Sequence, residues 1–256
     1  MPNAPDHRAF FVVVPMFNEA HGLRMTLHAL ATQSDPAFTL VLVDNASTDD
    51  SVAAARAFAR EHLALRVHLV SEPRKGTGAA ADTGFRYAIA QGARWIARTD
   101  ADCLPDRDWI HNLKRAFTDH GLEFVAGVIR PREDEGTLTL WDRLILRGMI
   151  WIAERYGRLH RNGRRFRYPY LMAAGNNLAI TAALYERSGG FPRSAIEEVH
   201  EDRALAESVR VLTTHAARCP DVVVYNSIRR VRAYGYVNTL RWYRNHGYRG
   251  ATVDVR

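Results

Sequence analysis

Cysteine is nearly absent: Cys103 and Cys219 are the only two in 256 residues. That is too few for a disulfide framework and points to a reducing compartment. No apolar run approaches the ~18 residues that a membrane-spanning helix needs. The stretch Met1–Arg8 lacks the charged-then-apolar order of a secretory leader. There is no low-complexity tract and no internal repeat. A P-loop is missing, and Gly76-Thr77-Gly78 lacks the third glycine and the first-strand position of a dinucleotide fingerprint. These absences leave a globular cytoplasmic chain, with peripheral association at the inner face of a membrane as the variant to test.

What is present is a basic, core-forming composition: 47% apolar, 25% charged, and a formal net charge of +7. The length suffices for one large domain. Much of the positive charge lies in two blocks, Arg155 to Arg167 and Arg229 to Arg249. Such blocks suit anionic lipid, phosphorylated ligands or nucleic acid.

Four apolar runs alternate with helical spacing in the first hundred residues. Phe10–Val14 reads as a strand buried on both faces, and Thr39–Val43, Val67–Val70 and the apolar run from Trp95 that ends in Asp100 and Asp102 read as three more. Leu23, Leu27 and Leu30 recur at helical spacing, a helix capped by Ser47 or Thr48 is expected through Val52, Arg56 and Phe58, and an Ala-rich helix runs through Tyr87 and Ile89. This alternation predicts βαβ units in a parallel sheet. Polar and acidic residues follow three of the strands: Asn18 and Glu19, then Asp44, then Asp100 and Asp102. Residues at the carboxyl edge of such a sheet converge on one crevice. Asp100 and Asp102 reach one ligand only if the chain turns between them, which small Ala101 permits. Two carboxylates so placed suit a hard cation bridging phosphates. Read locally, each of these is an ordinary turn or helix cap; their register along one sheet edge favours a site.

The second half is less regular. Phe124–Ile129, Leu178–Ile180 and Val222–Tyr225 read as strands, and a long helix is predicted over Leu138–Tyr156 as a core-packing element, with an interfacial membrane helix as the alternative. Glu197–Asp202 is an acidic cluster entering a helix marked by Leu205, Val209 and Leu212.

The motifs, taken in order, resemble a family-2 glycosyltransferase of the GT-A fold. They are Val13–Glu19, Val43–Asp49, Arg74-Lys75-Gly76, Asp100-Ala101-Asp102, Gly175-Asn176-Asn177, Gly189-Gly190-Phe191 and Glu201-Asp202. The fold class implied is α/β, a Rossmann-like and mostly parallel sheet flanked by helices, with an α+β acceptor-side half. One domain over 1–256 is expected, with a nucleotide-binding half (1–103), an acceptor and catalytic half (104–228) and a basic C-terminal segment (229–256). The resemblance implies that Pro15, Phe17, Glu19, Asp44, Lys75, Gly76 and Asp100 bind the nucleotide, Asp44 through the base, typically uracil. Asp102, with Asp100, would hold Mg2+ or Mn2+. Gly175, Asn176 and Asn177 would shape the donor-sugar and acceptor pocket. Asp202 would be the general base, with Glu201 beside it. The implied partners are a nucleotide sugar donor, UDP-linked first, and a glycan or lipid-linked acceptor. Anionic membrane is a further expected contact, and no nucleic acid is expected.

The chemistry fits these residue types. A sugar diphosphate departs with concentrated negative charge, which a divalent cation offsets. A carboxylate within reach of the acceptor hydroxyl takes its proton. No nucleophile with a paired base is evident, so inversion at the anomeric carbon is expected. Cys103 lacks zinc-spaced partners and reads as a buried structural thiol. A nucleotidyltransferase that makes nucleotide sugars is the runner-up, but the Pro15–Glu19 loop lacks the Gly- and Arg/Lys-rich composition it would need. A basic nucleic-acid-binding protein is the third reading, prompted by charge alone.

Overall fold

The computed structural model describes residues 9–132, 134–135, 139–193 and 200–229, with 232, 233, 235 and 238 beyond them. β1 (Phe10–Met16) is buried along its whole length, as a strand with layers on both faces must be. β2 (Thr39–Asp44), β3 (Arg66–Ser71) and β4 (Trp95–Arg98) join it in parallel in the order β3-β2-β1-β4. Helices α1 (Ala20–Ala31), α2 (Ser51–Glu61) and α3 (Thr77–Ala90) make the crossovers.

Side chains alternate across β1. Phe10, Val12, Val14 and Met16 meet Leu23, Leu27 and Leu30 of α1, whereas Phe11 and Val13 meet Ala80, Ala81 and Phe85 of α3.

The sheet changes character after β4. β5 (Leu104–Pro105) and α4 (Trp109–Thr118) come next, then β6 (Phe124–Pro131) and the long α5 (Leu140–His160). β7 (Leu178–Thr181) lies between β4 and β6, antiparallel to both. It leads into α6 (Ala182–Ser188), α7 (Glu201–Leu212) and β8 (Ala216–Asn226). β8 pairs in parallel with β6, and the full order is β3-β2-β1-β4-β7-β6-β8-β5. One sheet therefore runs through both halves of the chain. α4 packs with α1 and α2 on one face, and α6 and α7 pack with α3 on the other.

Two expectations are corrected. The helix after β6 starts at Leu140 and ends at His160, and it does not pack into the core: Trp141 is 75% exposed and Trp151 61%. The last strand begins six residues earlier than Val222, at Ala216. α4 turns Trp109, Ile110, Leu113, Ala116 and Phe117 inward, and α6 turns Leu184 and Tyr185.

The α3 face is packed to contact. A Cβ placed on Gly84 would lie 2.4 Å from Val13 Cγ1 and 2.8 Å from Val43 Cγ2. Alanine there gains about 1 kcal/mol of helix propensity but forces the helix off two stiff valines, at about 1–3 kcal/mol. Gly84→Ala is thus expected to lower the urea midpoint. An unchanged or raised midpoint contradicts this packing.

Candidate active site

The crevice is assembled from loops at the carboxyl ends of the strands, and asparagines bolt those loops together. Asn45 donates through Nδ2 to the carbonyls of Glu72 and Arg74, both at 2.8 Å, and accepts from the Gly76 N–H at 2.8 Å. Its own N–H reaches the Met16 carbonyl. The ends of β1, β2 and β3 are thereby held by one residue. Asn18, in the left-handed region at φ 50°, accepts from the Thr48 N–H at 2.8 Å. Glu19 N–H donates to Ser51 Oγ at 2.9 Å. Asp44, half-buried at the end of β2, accepts from the Ser47 N–H. Lys75 lies over the Phe17 ring at 5.3 Å, closing this side. Pro15 is buried at the end of β1, beneath them.

The loop after β4 makes the turn that small Ala101 allows: Cys103 N–H donates to the Asp100 carbonyl, so both carboxylates belong to one turn. α1 comes close beneath it. Thr26 Oγ1 donates to the Ala101 carbonyl at 2.9 Å, and a Cβ on Gly22 would stand 3.1 Å from that oxygen.

Below the turn sits Arg98, 1% exposed in a strand that otherwise carries apolar side chains inward. Its Nε donates to Asp100 at 3.1 Å, and Nη2 lies 3.4 Å from Glu201 Oε1 at the start of α7. The guanidinium also faces the Phe191 ring. Burial opposes its charge, yet Asp100, Glu201 and Asp202 together hold its pKa above the ordinary value. The pKa of Asp100 is raised too, but there this disfavours the charge: desolvation outweighs the pull of Arg98. Cys103 is buried, with its thiol pKa pushed well up by desolvation, consistent with a structural role.

Asp202, next to Glu201, accepts from the Gly175 N–H at 3.1 Å through one oxygen and from the Arg203 N–H through the other. Gly175 lies against Arg98, with its absent Cβ 3.0 Å from the guanidinium. Asn177 is turned inward. It accepts from Trp109 Nε1 at 2.9 Å and donates to the carbonyls of Val128 and Val222, so it holds the floor of the pocket. Asn176 Oδ1, Thr99 Oγ1 and Arg98 Nη1 are buried without a hydrogen-bond partner among the described residues. Such unmatched polar atoms at a crevice suit a polar ligand.

Arg229 is the residue that sequence reasoning misread. It was grouped with a basic tail, yet its Nη2 contacts both Glu19 oxygens, at 2.8 and 3.0 Å, and Asp102 Oδ2 at 3.1 Å. Nothing in the local sequence signals a partner 210 positions away. Most of the remaining tail, and the acidic stretch before His200, lie outside the described residues. Arg98 did carry a signal, a charge ending an apolar strand. Arg193 clamps the turn after α6 to α3, bonding Glu72 and Asp82, and was also missed. No group of three or more His, Cys, Asp or Glu among the described residues could hold a metal by itself. Asp102 and Glu19 nevertheless gather one cationic group between them, so the donors fit a cation whose coordination is completed by phosphate oxygens.

A mostly parallel sheet interrupted by the antiparallel strands β7 and β5, with carboxylates gathered at its carboxyl edge, is the GT-A fold. The profile of glycosyl transferase family 2 matches residues 11–187, and the chain belongs to that family. It is 30% identical over 118 residues to glycosyltransferase AglE of Haloferax volcanii, covering 45% of this chain and 38% of that protein. It is 31% identical over 130 residues to the pre-mycofactocin glycosyltransferase of Mycobacterium tuberculosis, covering 49% and 24%. Among solved structures, it resembles the mannosyltransferase PcManGT from Pyrobaculum calidifontis in complex with GDP-Man and Mn2+. There the TM-score is 0.64 at 28% identity, over 93% of this chain and 66% of that one. S. aureus TarS 1-349 in complex with UDP shares the fold, with a TM-score of 0.62 at 15% identity, over 88% and 62%. The chain therefore spans well under half of these curated relatives and about two thirds of the structural ones.

Glu19 sits where its charge costs most. Burial lifts its pKa to about 7 against the pull of Arg229. The folded chain keeps this proton up to about pH 7, whereas the unfolded chain releases it near 4.5. The contribution to stability is therefore full below pH 4.5 and is lost as pH rises through 7. Urea unfolding of the wild type relative to Glu19→Gln is expected to lose ground between those pH values and level off above them. A flat difference would remove the burial cost.

Proposed function

We propose that this chain transfers a sugar from a nucleoside diphosphate sugar to an acceptor hydroxyl, with inversion, using Asp202 as general base. The observation that carries the reading is Arg98, a buried cation joining the Asp100 turn to Glu201, the residue before Asp202. One group thus fixes the spacing between the diphosphate side of the crevice and the base. Asp44, Glu19, Phe17, Lys75 and Gly76 line the nucleotide side; UDP is the first choice for the donor and GDP the second. Asp102 with Asp100 would hold Mg2+ or Mn2+, and a divalent cation bound there offsets the charge on the departing diphosphate.

The acceptor oxygen bonds to the anomeric carbon as the bond to the diphosphate breaks, and the acceptor's proton passes to Asp202. Gly175 N–H holds one Asp202 oxygen and keeps the carboxylate aimed at the pocket. Glu201 acts through Arg98 and leaves the proton transfer to its neighbour. A glycan or lipid-linked hydroxyl is the acceptor class. No observation favours the nucleotidyltransferase reading.

Asp202→Asn keeps the shape and removes the base. Turnover should fall about 10²–10⁴-fold with nucleotide affinity unchanged; persistent activity would make Asp202 a helix-terminus residue only. NMR of the product's anomeric proton should give the inverted configuration, and retention would exclude a single-base mechanism.

Arg229 competes with the cation for Asp102 in this reading. Arg229→Ala is expected to tighten Mn2+ binding, measured by electron paramagnetic resonance in the absence of donor, and Asp102→Ala to abolish it. Weaker Mn2+ binding in Arg229→Ala would separate the guanidinium from the metal position.

A further inference from the structure

α5 is a surface helix with its apolar side outward. Eight of the eleven exposed large apolar residues among the described residues belong to it. Trp141, Leu144, Ile145, Trp151, Ile152 and Leu159 are between 42% and 75% exposed. At 3.6 residues per turn they fall within one arc of about 120°. The opposite side holds the helix to the protein. Gly157 is pressed against the Tyr170 ring, and Glu154 pairs with Arg218 of β8.

The charge around this face has one sign. From Leu140 to Arg167 there are eight arginines and two acidic residues, a balance of 8 − 2 = +6. Both acids are engaged, Asp142 in a capping box with Thr139 and Glu154 with Arg218. Arg155 lies over the Trp151 ring at 5.4 Å. Beyond the end of α5, Arg161, Arg164, Arg165 and Phe166 line an open cleft of about 470 Å³ with Glu207.

We propose that α5 and the basic loop after it form a docking face for an anionic lipid bilayer, with the helix lying in the plane of the headgroups. The chemistry selects this partner. Tryptophan and tyrosine are the residues of the membrane interface, and an apolar arc with arginines in and beside it, Arg155 over Trp151 among them, lets the charged heads reach lipid headgroups while the apolar side chains enter below them. Each basic residue near an anionic surface adds to the attraction, so a balance of six matters at ordinary salt. Spanning is excluded for this helix, because six charged residues interrupt it and no described helix is long and apolar enough to cross. The inference stands apart from the transferase reading, since its test reads binding alone.

The test is co-flotation of the whole chain with vesicles of phosphatidylcholine, with and without about one-third phosphatidylglycerol. Binding is expected to the anionic vesicles at low salt and to weaken at high salt, with the tryptophan emission shifted to the blue. The double substitution Trp141→Glu with Trp151→Glu, at two exposed positions, should weaken partitioning by about tenfold or more. Its circular dichroism and Tm should match the wild type. Equal binding to neutral vesicles, no binding to either, or unchanged binding of the double variant overturns the proposal. A dimer in sedimentation velocity that the same substitutions dissolve, without vesicle binding, would assign the face to a second copy and overturn it as well.

Discussion

The geometry of the crevice depends on a buried guanidinium. Arg98 is 1% exposed, and a charge so placed is tolerable only where carboxylates surround it. Asp100 supplies one from the loop after β4 and Glu201 the other from the start of α7, 101 residues later in the chain. Replacing such an ion pair with apolar groups often leaves stability unchanged, so its value here is positional. It ties the end of β4 to the start of α7, and α7 carries Asp202. The glycine at 175 belongs to the same arrangement, because any side chain there would meet the guanidinium.

The same principle recurs at lower energy. Loops at a sheet edge have no ladder of their own, so their backbone groups need partners from elsewhere. Asn45 supplies them for the ends of three strands; Asn177 does so for the Val128 and Val222 carbonyls of β6 and β8 while it accepts from the Trp109 indole of α4. An amide side chain suits this work because it donates and accepts at once. The loops after β1, β2 and β3 are therefore set before any ligand arrives, as a site that stabilises charge by preorganisation requires.

The parallel half was readable in the sequence because its signals are local. Continuous apolar runs ending in Pro15, Asp44 and Asp100 mark strands and their carboxyl edge at once. The structure places Asp100 and Asp102 in one turn and Gly175 against Asp202. What could not be read is long-range pairing. Arg229 against Glu19 and Asp102 depends on how β8 ends, and Arg193 against Glu72 and Asp82 on how the turn after α6 folds back. α5 was misjudged for another reason. Periodicity reports that a helix has an apolar side but not what that side faces, and the tryptophans at 141 and 151 fit a core or an interface equally well.

The antiparallel insertion of β7 has a consequence for how the chain is made. During synthesis, β1 to β4 can pair as soon as they emerge, but the outer edge of β4 waits for Leu178–Thr181, from far later in the sequence. Until then the nascent sheet presents an open row of backbone donors and acceptors on an apolar strand, the kind of edge that recruits other chains. Arg98 waits as well, since Glu201 arrives later still. A charge on that unfinished edge resists mispairing, so the residue that organises the finished crevice also guards the strand while it is incomplete.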